Sequence, residues 1–164
     1  MKALSIKPPW GELIVTGQKT VEVRSWRPPT SFFGRTIAIH TGKQFDGEVP
    51  PSVYDMAGNY LREMPPAPVG KFDLLDDPYF TMALRLGGII GFATLKGCIR
   101  LTQESWCRLQ PQHLNELSGW REGLWGWEFT KPRRLPNLIP YKGELGLFDI
   151  PFEKEDLEDA INAH

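Results

Sequence analysis

The sequence predicts an α+β fold: a small mixed β-barrel flanked by helices, with a lid-like insertion. Three observations predict it. Short runs alternate apolar and polar residues with the period of two that a half-buried strand requires. Helical spacing is confined to a few short segments. Fifteen prolines suit loops and strand edges better than long helices. At 164 residues the chain can bury a real core as one domain and is short for two.

The elements follow in order. In "ALSIKPPW", Leu4 and Ile6 alternate with Ser5 and Lys7, a first strand ended by Pro8 and Pro9. Trp10, Leu13 and Ile14 stand at helical spacing, and Gly17 follows where a helix end takes a left-handed residue, so "WGELIVTG" reads as a short helix. "KTVEVRSW" puts Val21 and Val23 on one face and Thr20, Glu22, Arg24 and Trp26 on the other. "RTIAIHTGK" repeats the pattern, with Ile37 and Ile39 inward and Ala38 and His40 opposite.

Residues 44–86 are rich in proline and glycine, with one helix expected from Val53 to Arg62, and read as an insertion or lid between strands. "GGIIGFATLKGCIRL", the most apolar segment, predicts a central strand kinked at Gly91. "TQESWCRL" to "NELSG" predicts helix capped by Thr102. "LWGWEFTKPRRL" and "GELGLFDIP" supply the last strands, and "EKEDLEDAINAH" a terminal helix. The domain thus spans 1–150, followed by an acidic tail or helix over 151–164.

A formal net charge of −1 gives no bulk attraction for nucleic acid, but the charge is polarised. Residues 1–43 hold seven basic against two acidic side chains, a net of +5. Residues 149–164 hold one basic against six acidic, a net of −5. A local positive patch can therefore coexist with a near-neutral total. Two cysteines, Cys98 and Cys107, make neither a disulfide framework nor a metal-ligand spacing. With no secretory h-region and no apolar run long enough for a bilayer, a cytoplasmic protein without a membrane partner is expected.

The candidate chemistry lies in "TGQKTVEVRSW". Glu22 and Arg24 are two apart on one strand face, with Cβ atoms about 6.5–7 Å apart from the rise per residue. Lys19 stands beside a helix C-terminus, which favours a cation. These groups form either a solvated ion-pair face or the wall of a binding site. Pro8, Trp10 and Trp26 bracket them with flat apolar surface of the kind that stacks bases beside phosphate-binding cations. His40 and Lys43, around Gly42, end the neighbouring strand with hydrogen-bond donors. Trp125 and Trp127 share one face, where packing is the simpler role; Lys131, Arg133 and Arg134 read as a solvated basic loop. HExxH, the phosphate-cradling glycine loop, GxSxG and CxxC are all missing.

The run "LSIKPPWGELIVTGQKTVEVRSWRPP" resembles the start of the activating-signal-cointegrator homology (ASCH) domain, a family with the pseudouridine-synthase/archaeosine-transglycosylase (PUA)-like fold. Its G-x-K-x-x-E-x-R hallmark is present as Gly17, Lys19, Glu22 and Arg24, and the resemblance continues through "GRTIAIHTGK", "GIIGFATL" and "PYKGELGLFDI". It implies a β-barrel flanked by helices, a cleft lined by the motif charges, and dealings with RNA or its components. One branch of the family resembles amidohydrolases acting on N4-acetylated cytidine, with a lysine, a threonine three residues later and a distant glutamate. Lys19 matches that lysine, but the third position is Glu22, and Thr20 should point to the opposite face. Other members resemble ribonucleases, and eukaryotic relatives act as transcription-coactivator modules.

Three readings follow. In the first, single-stranded RNA or a modified nucleoside binds through Pro8, Trp10, Arg24, Trp26, His40 and Lys43. In the second, Lys19 and Glu22 are catalytic residues of a hydrolase on the same cleft. In the third, the 44–86 segment, with Tyr54, Tyr60, Pro65 and Pro66, docks a protein partner. No cofactor is expected, and a divalent metal enters only if the protein is a nuclease.

Overall fold

The computed structural model describes residues 1–44, 53 and 85–163. The chain runs β1 (Lys2–Ile6), α1 (Trp10–Val15), β2 (Val21–Arg24), a 3-10 turn (Thr30–Phe32) and β3 (Thr36–Thr41). After the insertion come β4 (Gly88–Arg100), α2 (Gln103–Arg108), α3 (Gln110–His113) and a second 3-10 turn (Leu117–Gly119). Then β5 (Trp125–Pro140), β6 (Leu147–Asp149) and α4 (Lys154–Asn162) complete the described fold. The expected helix over Val53–Arg62 and the lid lie outside the described residues, apart from the stems and Val53, which is buried.

Six strands form one sheet in the order β2-β5-β4-β3-β1-β6. Every pairing is antiparallel except β1 with β3. The sheet curls into a half-barrel with flanking helices, the predicted PUA-like α+β class. Period-two alternation divides its core between two faces. Leu4, Ile6, Ile37 and Ile39 join Trp10, Leu13, Ile14 and Trp127 on one side. Ala3 and Ala38 join Phe92, Phe148 and Leu157 of α4 on the other. Residues 37–41 of β3 are therefore buried on both faces, rather than on the isoleucine face alone.

Helix α1 has six residues, all buried, and is too short to persist without tertiary packing. Gly17 follows it at φ 82°, in the expected left-handed conformation. Gly91 of β4 lets the helix approach: a Cβ there would press on the Arg133 carbonyl and lie 2.7 Å from Val15 Cγ1. The predicted kink appears as an irregular register with β5 between Ile89 and Gly91. Strand β5 runs on to Pro140, further than alternation suggested, because Lys131 at φ 51° sits in a bulge that lets Pro132 interrupt the ladder. Thr102 caps α2 through a reciprocal pair with Ser105.

Candidate nucleic-acid interface

Strand β2 pairs with β5, placing Glu22 opposite Trp127 and Arg24 opposite Trp125. Both faces of β2 are covered: Glu22 is buried on one, and on the other Val21 is buried and the half-buried Val23 packs against Leu101, Trp106 and Leu124. Lys19, Glu22 and Arg24 form a line from the interior outward, with side-chain exposures of 1%, 9% and 22%. The Lys19 ammonium lies 3.7 Å from Glu22 Oε2, and Arg24 Nε lies 3.1 Å from Glu22 Oε1. Arg24 Nη2 donates to the Ser5 carbonyl at 2.6 Å.

Lys19 Nζ also donates to the His113 carbonyl at 2.5 Å and sits 4.7 Å from the centre of the Trp10 ring. Burial lowers its pKa from the usual lysine value to about 8, partly opposed by Glu22 and reinforced by Arg24. Thr20 is exposed, so the neighbouring hydroxyl does not share the Lys19 environment. Trp10 is buried against Lys19, and Pro8 is also buried. Trp26 is half buried, set edge-on to Trp127 at 4.5 Å, and its carbonyl accepts from the Trp127 indole at 3.0 Å. Trp127 belongs to the first core and the partly buried Trp125 packs against it, the packing role expected of their shared face.

His40 and Lys43 stand at a different place. Ser5 and His40 are register partners on β1 and β3, and Ser5 Oγ lies 3.0 Å from His40 Nδ1. His40 Nε2 lies 3.0 Å from the Tyr141 carbonyl. A carbonyl can only accept, so Nε2 carries the proton and Nδ1 is left to accept from the Ser5 hydroxyl. Burial holds the His40 pKa below the ordinary histidine value, which keeps this neutral tautomer. Gly143 lies over the pair; a Cβ there would sit 2.8 Å from both Ser5 Oγ and His40 Nδ1. Around them opens a cleft of about 890 Å³, lined also by Lys43, Tyr141, Lys142 and Glu144.

A second ionic cluster, unmarked by any sequence motif, surrounds Glu12. Glu12 of α1, 2% exposed, takes Arg85 Nη2 at 3.2 and 3.3 Å and pairs with Arg134 Nε. Arg134 thus leaves the predicted solvated loop for an ion pair, while Lys131 and Arg133 remain exposed. No motif in the sequence marks His113. It is fully buried, stacks on Trp106 at 4.1 Å, and offers its backbone oxygen to Lys19. Nothing local marks either feature, because the partners lie 73 to 122 residues apart for Glu12 and 94 for Lys19. Among the described residues, no cluster of three His, Cys, Asp or Glu side chains could hold a metal ion. None of their helices is long and apolar enough to cross a membrane.

A mixed six-stranded sheet curled into a half-barrel with flanking helices is the PUA-like α+β fold. Residues 4–138 match the ASCH domain family model, and the chain belongs to that family, which is generally linked to RNA binding. It is similar in fold to the crystal structure of ZmASCH from Zymomonas mobilis, with a TM-score of 0.56 and 15% identity over 98% of this chain and 93% of that one. Structures of two point mutants of the Zymomonas protein superpose equally well, each with a TM-score of 0.55 and 15% identity. They cover 99% and 98% of this chain and 94% and 96% of those. No curated protein matches the sequence.

Proposed function

We propose that the protein binds single-stranded RNA or a modified nucleoside in a cleft lined by the G-x-K-x-x-E-x-R residues. The graded burial of Lys19, Glu22 and Arg24 carries this reading. A buried ion line is a poor way to gain stability, since apolar residues of similar volume serve as well or better. Its arrangement suits recognition. Lys19 pairs with Glu22, Glu22 pairs with Arg24, and Arg24, the most exposed of the three, offers the edge of a planar cation to a phosphate or base edge. A cytoplasmic setting fits a chain that meets free RNA.

Fluorescence anisotropy with a labelled single-stranded RNA at two salt concentrations tests this. Wild-type affinity should fall steeply with salt, and the Lys19→Ala/Arg24→Ala double variant should lose most of the binding. The milder Arg24→Lys, which keeps the charge but not the fork, should weaken binding at least several-fold at a temperature well below its melting midpoint. Equal, weak binding by wild type and all variants removes the reading.

One observation favours a second reading, a hydrolase on the same cleft. A lysine with its pKa lowered to about 8 is suited to act as a general base. Release of acetate from N4-acetylcytidine, or cleavage of RNA with and without manganese or magnesium, should then be absent from Glu22→Ala. No turnover by wild type above that variant discards it.

A further inference from the structure

Beside the 890 Å³ cleft lies a second one, of about 530 Å³, lined by Lys2, Trp26, Pro29, Phe32, Leu145, Gly146 and Leu147. The two differ in chemistry and share one lip residue. The first is walled by Lys43, Lys142, His40 and Tyr141, and the second by the rings of Trp26 and Phe32. Leu145 lines both and is 99% exposed, so it forms the shared lip over which a bound strand would have to pass. The Arg35 guanidinium lies 5.9 Å from the Phe32 ring centre, so a cation flanks the aromatic end as well. Lys2 and Asp149 neutralise each other at 2.7 Å. That leaves Arg35, Lys43 and Lys142 against Glu144, a local net of +2 on a chain whose total is −1.

We infer that these clefts form one groove for single-stranded RNA, with a base on the Trp26–Phe32 platform, the backbone crossing Leu145, and the next phosphate between Lys43 and Lys142. The inference rests on the RNA-binding reading above and extends it to a path outside the motif. Flat aromatic surface alternating with cations is the pattern by which single strands are held without sequence readout. Both ends are fixed from within. Trp26 is locked by Trp127, and the stem of Lys43 lies across Gly87, where a Cβ would come 2.9 Å from Lys43 Cε. An acidic peptide could use the lysines but would leave the ring platform without a partner.

The test uses a fluorescein-labelled octauridylate and anisotropy titrations of the full chain. Lys43→Ala/Lys142→Ala changes two exposed side chains and should keep the wild-type melting temperature. It should weaken binding roughly tenfold at about 50 mM salt and flatten the log–log salt slope by about 0.7, the value for the one single-strand phosphate the two lysines share. Phe32→Leu, which keeps apolar volume and removes the ring, should weaken binding about fivefold with the slope unchanged. Groove variants within twofold of wild type, while Arg24→Lys loses affinity, would overturn the groove and leave the motif reading standing. Polyglutamate of equal charge competing as well as unlabelled RNA would overturn it too. A wild type that binds no RNA sinks both together.

Discussion

Arg24 on the edge strand β2 donates at 2.6 Å to the carbonyl of Ser5 in β1, a strand four places away in the sheet order. The bond falls just past Leu4, the last residue that β1 pairs with β6. One side chain thus spans the open seam of the half-barrel where no strand ladder exists. It also ties the family motif to the residue that contacts His40.

Replacing Arg24 with Ala should therefore destabilise the fold, by about 2–4 kcal/mol, because Ser5 loses its donor and Glu22 a counter-charge. Urea denaturation measures the loss, and Arg24→Lys should recover part of it. A change below about 0.5 kcal/mol would mean that the seam is held by packing alone.

Lys19 should make stability rise with pH in an unusual window. Its folded pKa is about 8 against an ordinary value of 10.5. Between these the unfolded chain holds more protons, so raising pH from about 8 to 10.5 favours the folded state. Lys19→Met lacks this term. Its stability relative to wild type should be greatest near pH 7 and shrink towards pH 10, read from denaturation midpoints of both proteins.

His40 and His113 should act at the other end of the scale. Burial lowers both pKa values, and the Lys19 charge adds to the lowering at His113. The unfolded chain takes up protons first, so stability should fall as pH drops below the ordinary histidine value of 6.5. His40→Gln, which can donate to Tyr141 and accept from Ser5, should lose less stability between pH 7 and pH 5 than wild type.

Glu12 should be the most sensitive acidic residue. Glu12→Gln leaves Arg85 and Arg134 facing a neutral amide in a nearly sealed site, and breaking a buried pair costs about 3–5 kcal/mol. Gly143→Ala should cost about 1–3 kcal/mol and shift the His40 ring resonances in NMR spectra, since the new methyl would overlap the Ser5–His40 pair.

Much of this was legible in the chain. The alternation of β1, β2 and β3, the helix ended by Gly17, the Thr102 cap and the long central strand through Gly91 all appear where periodicity and capping chemistry predict them. Local pattern is reliable there because strands and caps depend on neighbours within a few residues. The covering of both faces of β2 was not legible. Alternation separates Glu22 and Arg24 from Val21 and Val23 but cannot say which face meets the core, and here the face with the charges also meets Trp127.

The fold class, the order of the described elements and the charged strand with its family motif are all written in spacing and residue type. What those charges touch depends on how the sheet folds back on itself. That folding brings the His113 carbonyl to Lys19, the Ser5 carbonyl to Arg24, and Arg85 and Arg134 to Glu12. Such pairings join residues distant along the chain, and the curl of the sheet, not any local preference, sets the separations at which buried charges find their partners.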